Sequence, residues 1–291
     1  MNKRLTAGFS FLIMLLVALC PSPGFGTVLA REHPLGHAAK GLLVWENDEE
    51  FQKRCMEHHT LIRMAAFQTT LPDPLPGEEY NVGLAARMLA GTLVQPGQVF
   101  SLNKELGPRT KGRGFQEGPA YSGGQIIRVI GGGICKISTT LYNVAVLANL
   151  DIVERKAHGM LVPYVPPGQD ATVSFGSLDF KFRNTSGSTI LIWSEKLGNT
   201  LFIAFYGRKM PPQVKWRHEV LFRQKPPVIY HYNPKLRSRQ KRVIQSGAES
   251  IRIKNWLEIY YQDGRTERKE LGTDYYRPMP EIIEVGNQPH E

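Results

Sequence analysis

Three consecutive glycines, Gly131-Gly132-Gly133, run through Ile134 into Cys135 and then into Lys136-Ile137-Ser138-Thr139-Thr140, bringing a nucleophile close to free backbone amides. Glycine tolerates positive φ and close backbone approach, and the hydroxyls of Ser138 to Thr140 favour a helix start. A cysteine at the head of a helix has its thiol pKa lowered, and the N–H groups there can hold an oxyanion. A thiolate nucleophile also needs a base and a group that orients the base. His158 is the only histidine between His59 and His218 and is the economical base. Asp170 or Asp179 would hold its imidazole, and the amides from Gly133 to Lys136 would form the oxyanion hole. Acyl transfer through a thioester keeps the energy of the broken amide and needs no ATP, which suits cross-link exchange in peptidoglycan. From residue types alone, a buried or disulfide-bonded cysteine beside a glycine-rich packing turn stays open as the other reading.

Other chemistries fit the sequence less well. A phosphate loop needs Gly-Lys-Ser/Thr, whereas Lys136 follows Cys135 and precedes Ile137. Gly112-Arg113-Gly114 with Gly118 lacks the dinucleotide spacing. Cys55-Met56-Glu57-His58-His59 has no second ligand pair at zinc-type spacing, so no metal and no cofactor is expected.

The elements that must position Cys135 follow from pattern. Ile137 to Leu150 reads as a mostly buried helix. Upstream, Asn81 is expected to cap a short helix from Val82 to Leu93 ended by Pro96-Gly97, after a proline-rich connector, Leu71 to Gly77. Downstream, period-two alternation in Leu178-Phe180-Phe182, Ile190-Ile192 and Leu201-Ile203-Phe205 predicts an antiparallel meander. The fold class is therefore α+β, with a helix after a glycine-rich loop. Pro211-Pro212 marks a boundary, and beyond it a small all-β module contains a hairpin around Gln262-Asp263-Gly264-Arg265. Lys235 to Arg242 is a basic cluster, either a solvated strand edge or a contact for an anionic or sugar polymer.

The 291 residues, 42% hydrophobic, are enough for two domains. Asn2-Lys3-Arg4, the apolar run Phe9 to Leu19 and the breakers Pro21, Pro23 and Gly24 have the layout of a secretory signal, with cleavage expected after Ala30. An uncleaved N-terminal anchor, giving membrane association, is the competitor, although the run is short of the about 20 residues a span requires. Leu19 is too large for the residue preceding a lipidated Cys20. The expected organisation is a signal or anchor over 1–30, an N-terminal segment over 31–61, a first domain over 62–209 and the β module over 213–291. An exported chain of net charge +10 is expected to meet anionic wall polymers or lipid head groups rather than nucleic acid. Outside the cytoplasm, Cys55 and Cys135 have the option of one disulfide.

Several ordered blocks together resemble the VanW family, named for glycopeptide-resistance gene clusters. They are Phe100 to Asn103, Leu106 to Thr110, Arg113-Gly114-Phe115, Gly131 to Asn143, Ile152 to Arg155, His158, Tyr164 to Gly168 with Asp170 to Val173, and Ser177 to Asn184. The tail, through Val243 to Gly247, the Asp263-Gly264 hairpin, Thr273-Asp274-Tyr275 and Glu281 to Gly286, resembles a G-five domain. The first resemblance implies cysteine-dependent L,D-transpeptidase-like cross-linking of peptidoglycan through Cys135. The catalytic set is then Cys135, His158 and Asp170, with Gly131, Gly132, Gly133, Lys136, Ser138, Thr139, Arg109 and Arg113 as candidate substrate contacts. Lys136 stands where the family usually has glutamine. The second resemblance implies binding of N-acetylglucosamine polymers. The competing class is a non-catalytic wall-binding or regulatory protein that keeps Cys135 for packing.

Overall fold

The computed structural model describes residues 36–71, 73–122 and 125–286. The expected signal or anchor over 1–30, with Cys20, lies outside the described residues, as do Pro72, Gly123 and Gly124. Among the described residues no helix is long and apolar enough to cross a membrane.

The chain opens with β1 (His37–Ala38), α1 (Glu49–His58) and β2 (Ile62–Thr70). Helix α1 is capped by Asp48, whose side chain accepts from the Phe51 N–H. Then come α2 (Glu78–Leu89), β3 (Thr92–Val94), β4 (Val99–Ser101), α3 (Leu102–Leu106), β5 (Glu117–Ser122) and β6 (Gln125–Ile130). Helix α4 (Cys135–Leu147) follows the glycines, and β7 (Asp151–Glu154), β8 (Lys181–Arg183), β9 (Ile190–Leu197) and β10 (Thr200–Gly207) complete the first half. The β module consists of β11 (Gln213–Gln224), β12 (Val228–Tyr232), β13 (Lys241–Gln245), β14 (Ser250–Tyr260), β15 (Thr266–Tyr276) and β16 (Glu281–Val285).

The main sheet has the order β1-β2-β10-β9-β3, with every pairing antiparallel. Helix α4 packs on β2 and β10 of that sheet. Ile137, Leu141, Val144 and Ala145 are fully buried, and so are the polar Ser138, Thr139 and Thr140. A helix apolar on one side and hydroxylated on another can be buried all round only if each hydroxyl finds a partner. Thr140 does so by back-bonding to Lys136 O at 2.7 Å and meeting Thr69 Oγ1 at 2.9 Å.

The α+β class is as expected, but local pairing differs in two places. The β9–β10 hairpin forms, whereas Phe182 lies in β8, which pairs with β4 and β7 in a separate small sheet. Asn184 ends β8 by donating to Val94 O and Ser188 O, both at 2.8 Å, and Phe182 stacks on Phe100 with ring centroids 5.0 Å apart. Helix α2 begins four residues earlier than its expected start, with Gly77 as its N-cap, and ends at Leu89. Asn81 is not a cap but a buried residue inside the helix.

The β module forms two three-stranded sheets, β11-β14-β15 and β12-β16-β13. Leu257 and Ile259 of β14 belong to the same apolar cluster as Ile137, Leu141 and Val144 of α4. Trp216 of β11 meets Tyr142 of α4 edge to face at 5.4 Å.

Candidate active site

Cys135 is the first residue of α4, and the glycines before it hold the turn. Gly133 has φ +96°, and a Cβ on Gly132 would lie 2.2 Å from the backbone of Gly118. Only glycine allows the turn to pass so close to β5. Asn81 ties it down, donating through Nδ2 to Gly132 O and Gln116 O, both at 2.9 Å, and accepting the Gln116 N–H at 2.9 Å. The first turn bonds run from Lys136 N to Gly133 O at 3.0 Å and from Ile137 N to Ile134 O at 2.9 Å. The amides of Ile134 and Cys135 precede these bonds at the positive end of the helix.

The Cys135 thiol is partly buried, 3.4 Å from Thr172 Oγ1 and 3.7 Å from Val173 O, with the His158 imidazole within hydrogen-bonding reach. His158 Nδ1 lies 2.6 Å from Asp170 Oδ2, and the same oxygen accepts the His158 backbone N–H at 2.6 Å. Asp170 Oδ1 accepts from the Tyr276 hydroxyl and, at 3.3 Å, from Arg155 Nη2. These donors saturate an ionised carboxylate. Burial pushes Asp170 up, but the hydrogen bond and charge of His158, with the charge of Arg155, leave it below the usual carboxylate range.

The same network sets the thiol. Burial raises the pKa of Cys135, and the hydrogen bond and charge of His158 outweigh it, helped by Thr172 and the Val173 backbone, bringing it to about 7. Burial lowers that of His158, and Asp170 and Cys135 together raise it to about 10. Between these values the pair is thiolate and imidazolium.

The thiol opens on a cleft of about 670 Å³ lined by Gly131 to Ile134, Arg109, Val173 and Phe175 among others. A larger cavity of about 1000 Å³ lies between α4–β7 and β14–β15 and shares His158, Thr172 and Leu178 with the first. The smaller cleft holds Cys135 and is the candidate substrate site.

The other expected site residues fall into three groups. Gly131, Gly132, Gly133 and Arg109 line the cleft. Arg109 donates through Nη1 to Asn103 Oδ1 at 2.6 Å, while its buried Nη2 has no hydrogen-bond partner among the described residues. Ser138 and Thr139 face inward: Thr139 Oγ1 donates to Ala171 O at 3.2 Å and accepts the Ala171 N–H at 3.0 Å, and Ser138 Oγ bonds Ala171 O. They fix the irregular segment that carries Asp170 instead of touching a ligand. Lys136 and Arg113 lie elsewhere. Lys136 is 1% exposed, its ammonium 2.7 Å from Glu79 Oε1 and 2.8 Å from Asn199 O, so it points away from the cleft. Arg113 donates to Leu106 O at 2.9 Å and braces the loop around Gly107. Asp179, the other candidate to orient His158, instead accepts from Ser101 Oγ at 2.6 Å and Asn103 N at 2.9 Å. Cys55 and Cys135 are free thiols, and Cys55 is buried in a second apolar cluster with Phe51 and Tyr206.

Thr172, Val173 and Arg155 lie inside motifs already noted, so their roles had a signal in the sequence. Tyr276 had none, because 106 residues separate it from Asp170.

A family model described as "VanW like protein" matches residues 77–223. The chain is 36% identical over 151 residues to "Uncharacterized protein YoaR" of Bacillus subtilis (strain 168), covering 52% of this chain and 50% of that protein. It is 32% identical over 120 residues to "Vancomycin B-type resistance protein VanW" of Enterococcus faecalis (strain ATCC 700802 / V583), covering 39% of this chain and 43% of that one. It thus spans about half the length of the curated relatives it matches. Two solved structures are also similar to part of it. The IgA1 protease G5 domain aligns at TM-score 0.17 and 22% identity over 27% of this chain and 94% of that domain. The HP0197-G5 structure aligns at TM-score 0.15 and 13% identity over 25% of this chain and 99% of that one.

Proposed function

The chain belongs to the VanW family, and from that premise we propose that it is an exported cell-wall protein whose Cys135 performs acyl transfer on the peptide stems of peptidoglycan, in the manner of an L,D-transpeptidase. What carries the reading is the chain of contacts from Cys135 through His158 to Asp170 at the mouth of a cleft. In the first step the thiolate attacks the carbonyl of a stem amide. The negative charge that develops on the oxygen is met by the amides of Ile134 and Cys135 at the head of α4. The His158 imidazolium gives its proton to the leaving amine as the C–N bond breaks, leaving a thioester. Neutral His158 then takes a proton from the incoming amine, which attacks the thioester, and the thiolate departs as the new amide forms. Asp170 holds the ring in one orientation throughout.

Arg109 is suited to a carboxylate on the stem, because its buried Nη2 has no partner among the described residues and it lines the cleft. The β module is assigned to docking on the wall. Its outer strands expose Tyr230, Tyr232 and Val243 beside the basic stretch from Lys235 to Arg242, with Lys241 over the Tyr230 ring at 5.6 Å. Incubation of the purified chain with muropeptides tests the reading. Cross-linked or exchanged products are expected from the wild type and none from Cys135→Ala. Identical, product-free digests from the two proteins would leave only the wall-binding or regulatory alternative.

A further inference from the structure

We propose that the C-terminal β module is part of the acyl-transfer apparatus, with Tyr276 and Asp274 of β15 acting as positioning residues that fix the Asp170 carboxylate against His158. This rests on the reading of Cys135, His158 and Asp170 as a working set, and extends it to a module that the family model covers only as far as residue 223.

Proton bookkeeping makes the Tyr276 contact directional. The Gly168 N–H donates to the Tyr276 hydroxyl oxygen at 2.7 Å, so the hydroxyl proton is free to go to Asp170 Oδ1. The tyrosine is 1% exposed, and Ser250 Oγ donates to its backbone carbonyl at 3.0 Å, so the ring is held at both ends. Asp274 works through Arg155. Both its oxygens accept from Arg155 Nη1 at 2.7 Å, and Asn255 Nδ2 of β14 supports Oδ2 at 3.2 Å. Arg155 in turn donates through Nε to Asp170 O at 2.8 Å and through Nη2 to Gly168 O at 3.1 Å and Asp170 Oδ1 at 3.3 Å. The segment from Gly168 to Ala171 is thus clamped from the side of the β module, and from the other side by Thr139 and Asn143 of α4, which bond Ala171 N and Gln169 O. Simple packing between two domains needs apolar contact. Here, beside the apolar cluster that Leu257 and Ile259 share with α4, there is also a buried polar network that ends on the carboxylate facing the catalytic imidazole.

Removing the Tyr276 hydroxyl leaves Oδ1 with the longer Arg155 bond alone, and the carboxylate gains freedom to turn from Nδ1. Removing the Asp274 charge leaves Arg155 to draw Asp170 toward itself. Either change weakens the partner of the imidazolium and hence the thiolate. The test uses the full chain as wild type, Tyr276→Phe and Asp274→Asn. Alkylation of Cys135 by iodoacetamide is followed across pH by mass spectrometry of the Cys135 peptide, so that Cys55 does not contribute. Circular dichroism reports folding, and the downfield imidazole N–H resonance reports the His158–Asp170 bond. Expected is an upward displacement of the alkylation midpoint by about one pH unit, a roughly tenfold slower reaction on the acid limb, and a displaced or lost downfield resonance in both variants. Folded variants with the wild-type midpoint and resonance would overturn the proposal while leaving the acyl-transfer reading intact. A wild-type midpoint at the ordinary thiol value would sink both. Because Tyr276→Phe keeps the ring and Asp274→Asn keeps the shape, a folding failure in one leaves the other to decide.

Discussion

At Cys135 and His158 the protonation states follow from neighbours at hydrogen-bonding distance, and the pH dependence follows from the states. Cys135 is thiolate above about pH 7 and His158 is imidazolium below about pH 10, so acyl transfer should rise through the first value and fall through the second. His158→Ala should move the Cys135 alkylation midpoint upward to the ordinary thiol range or beyond, since burial then acts with little to oppose it. The rate near neutrality should fall by about tenfold or more, as read from iodoacetamide kinetics. Lys136 belongs to a different account. Its ammonium is buried against Glu79, whose other oxygen lies 3.8 Å from Lys196 Nζ. Lys136→Met should cost about 3 kcal/mol in denaturant unfolding, because a half-buried carboxylate is left with only the more distant Lys196 ammonium. Adding Glu79→Gln should recover much of that loss, and both proteins should keep the wild-type alkylation midpoint. A lysine beside a cysteine in sequence need not face it: on a helix, adjacent residues point about 100° apart.

The elements explain why part of the site was legible in the sequence and part was not. The glycine turn and α4 could be read because their signals are local: positive-φ residues, then an apolar helix with hydroxyls. Residues 170–173 stood out only as a motif, and the reason for their placement lies on α4, where Thr139 exchanges two hydrogen bonds with Ala171. Thr139→Val should therefore lower stability by about 1–3 kcal/mol, as a buried amide loses its acceptor. It should also slow Cys135 alkylation, since Asp170 is the next residue along. The strand around Phe182 misled because period two identifies a strand but not its partner. Ladder membership was decided by Asn184 and the Phe100–Phe182 stack, which join residues far apart in the chain. Asn81 misled for a similar reason: its amide looks like a cap, yet Gly132 and Gln116 claim it.

For the whole molecule, charge and connectivity matter most. The chain carries net charge +10, and Arg237, Arg239 and Lys241 lie exposed on the β module. If this face meets anionic polymer, retention on isolated sacculi should fall as NaCl is raised well above 0.1 M, where screening is about 10 Å. The triple variant Arg237→Glu, Arg239→Glu, Lys241→Glu should be released at lower salt than wild type in the same sedimentation assay. The core raises a separate matter for anyone who would treat the chain as interchangeable parts. Pro211-Pro212 looks like a place to cut, yet Leu257 and Ile259 lie in the same apolar cluster as α4. A chimera that replaced everything after that point with a foreign wall-binding module would still contain every residue of the VanW motifs. It would also leave the apolar cluster open where Leu257 and Ile259 had been and Tyr142 bare of the Trp216 ring, so the joint in the sequence is not a joint in the folded protein.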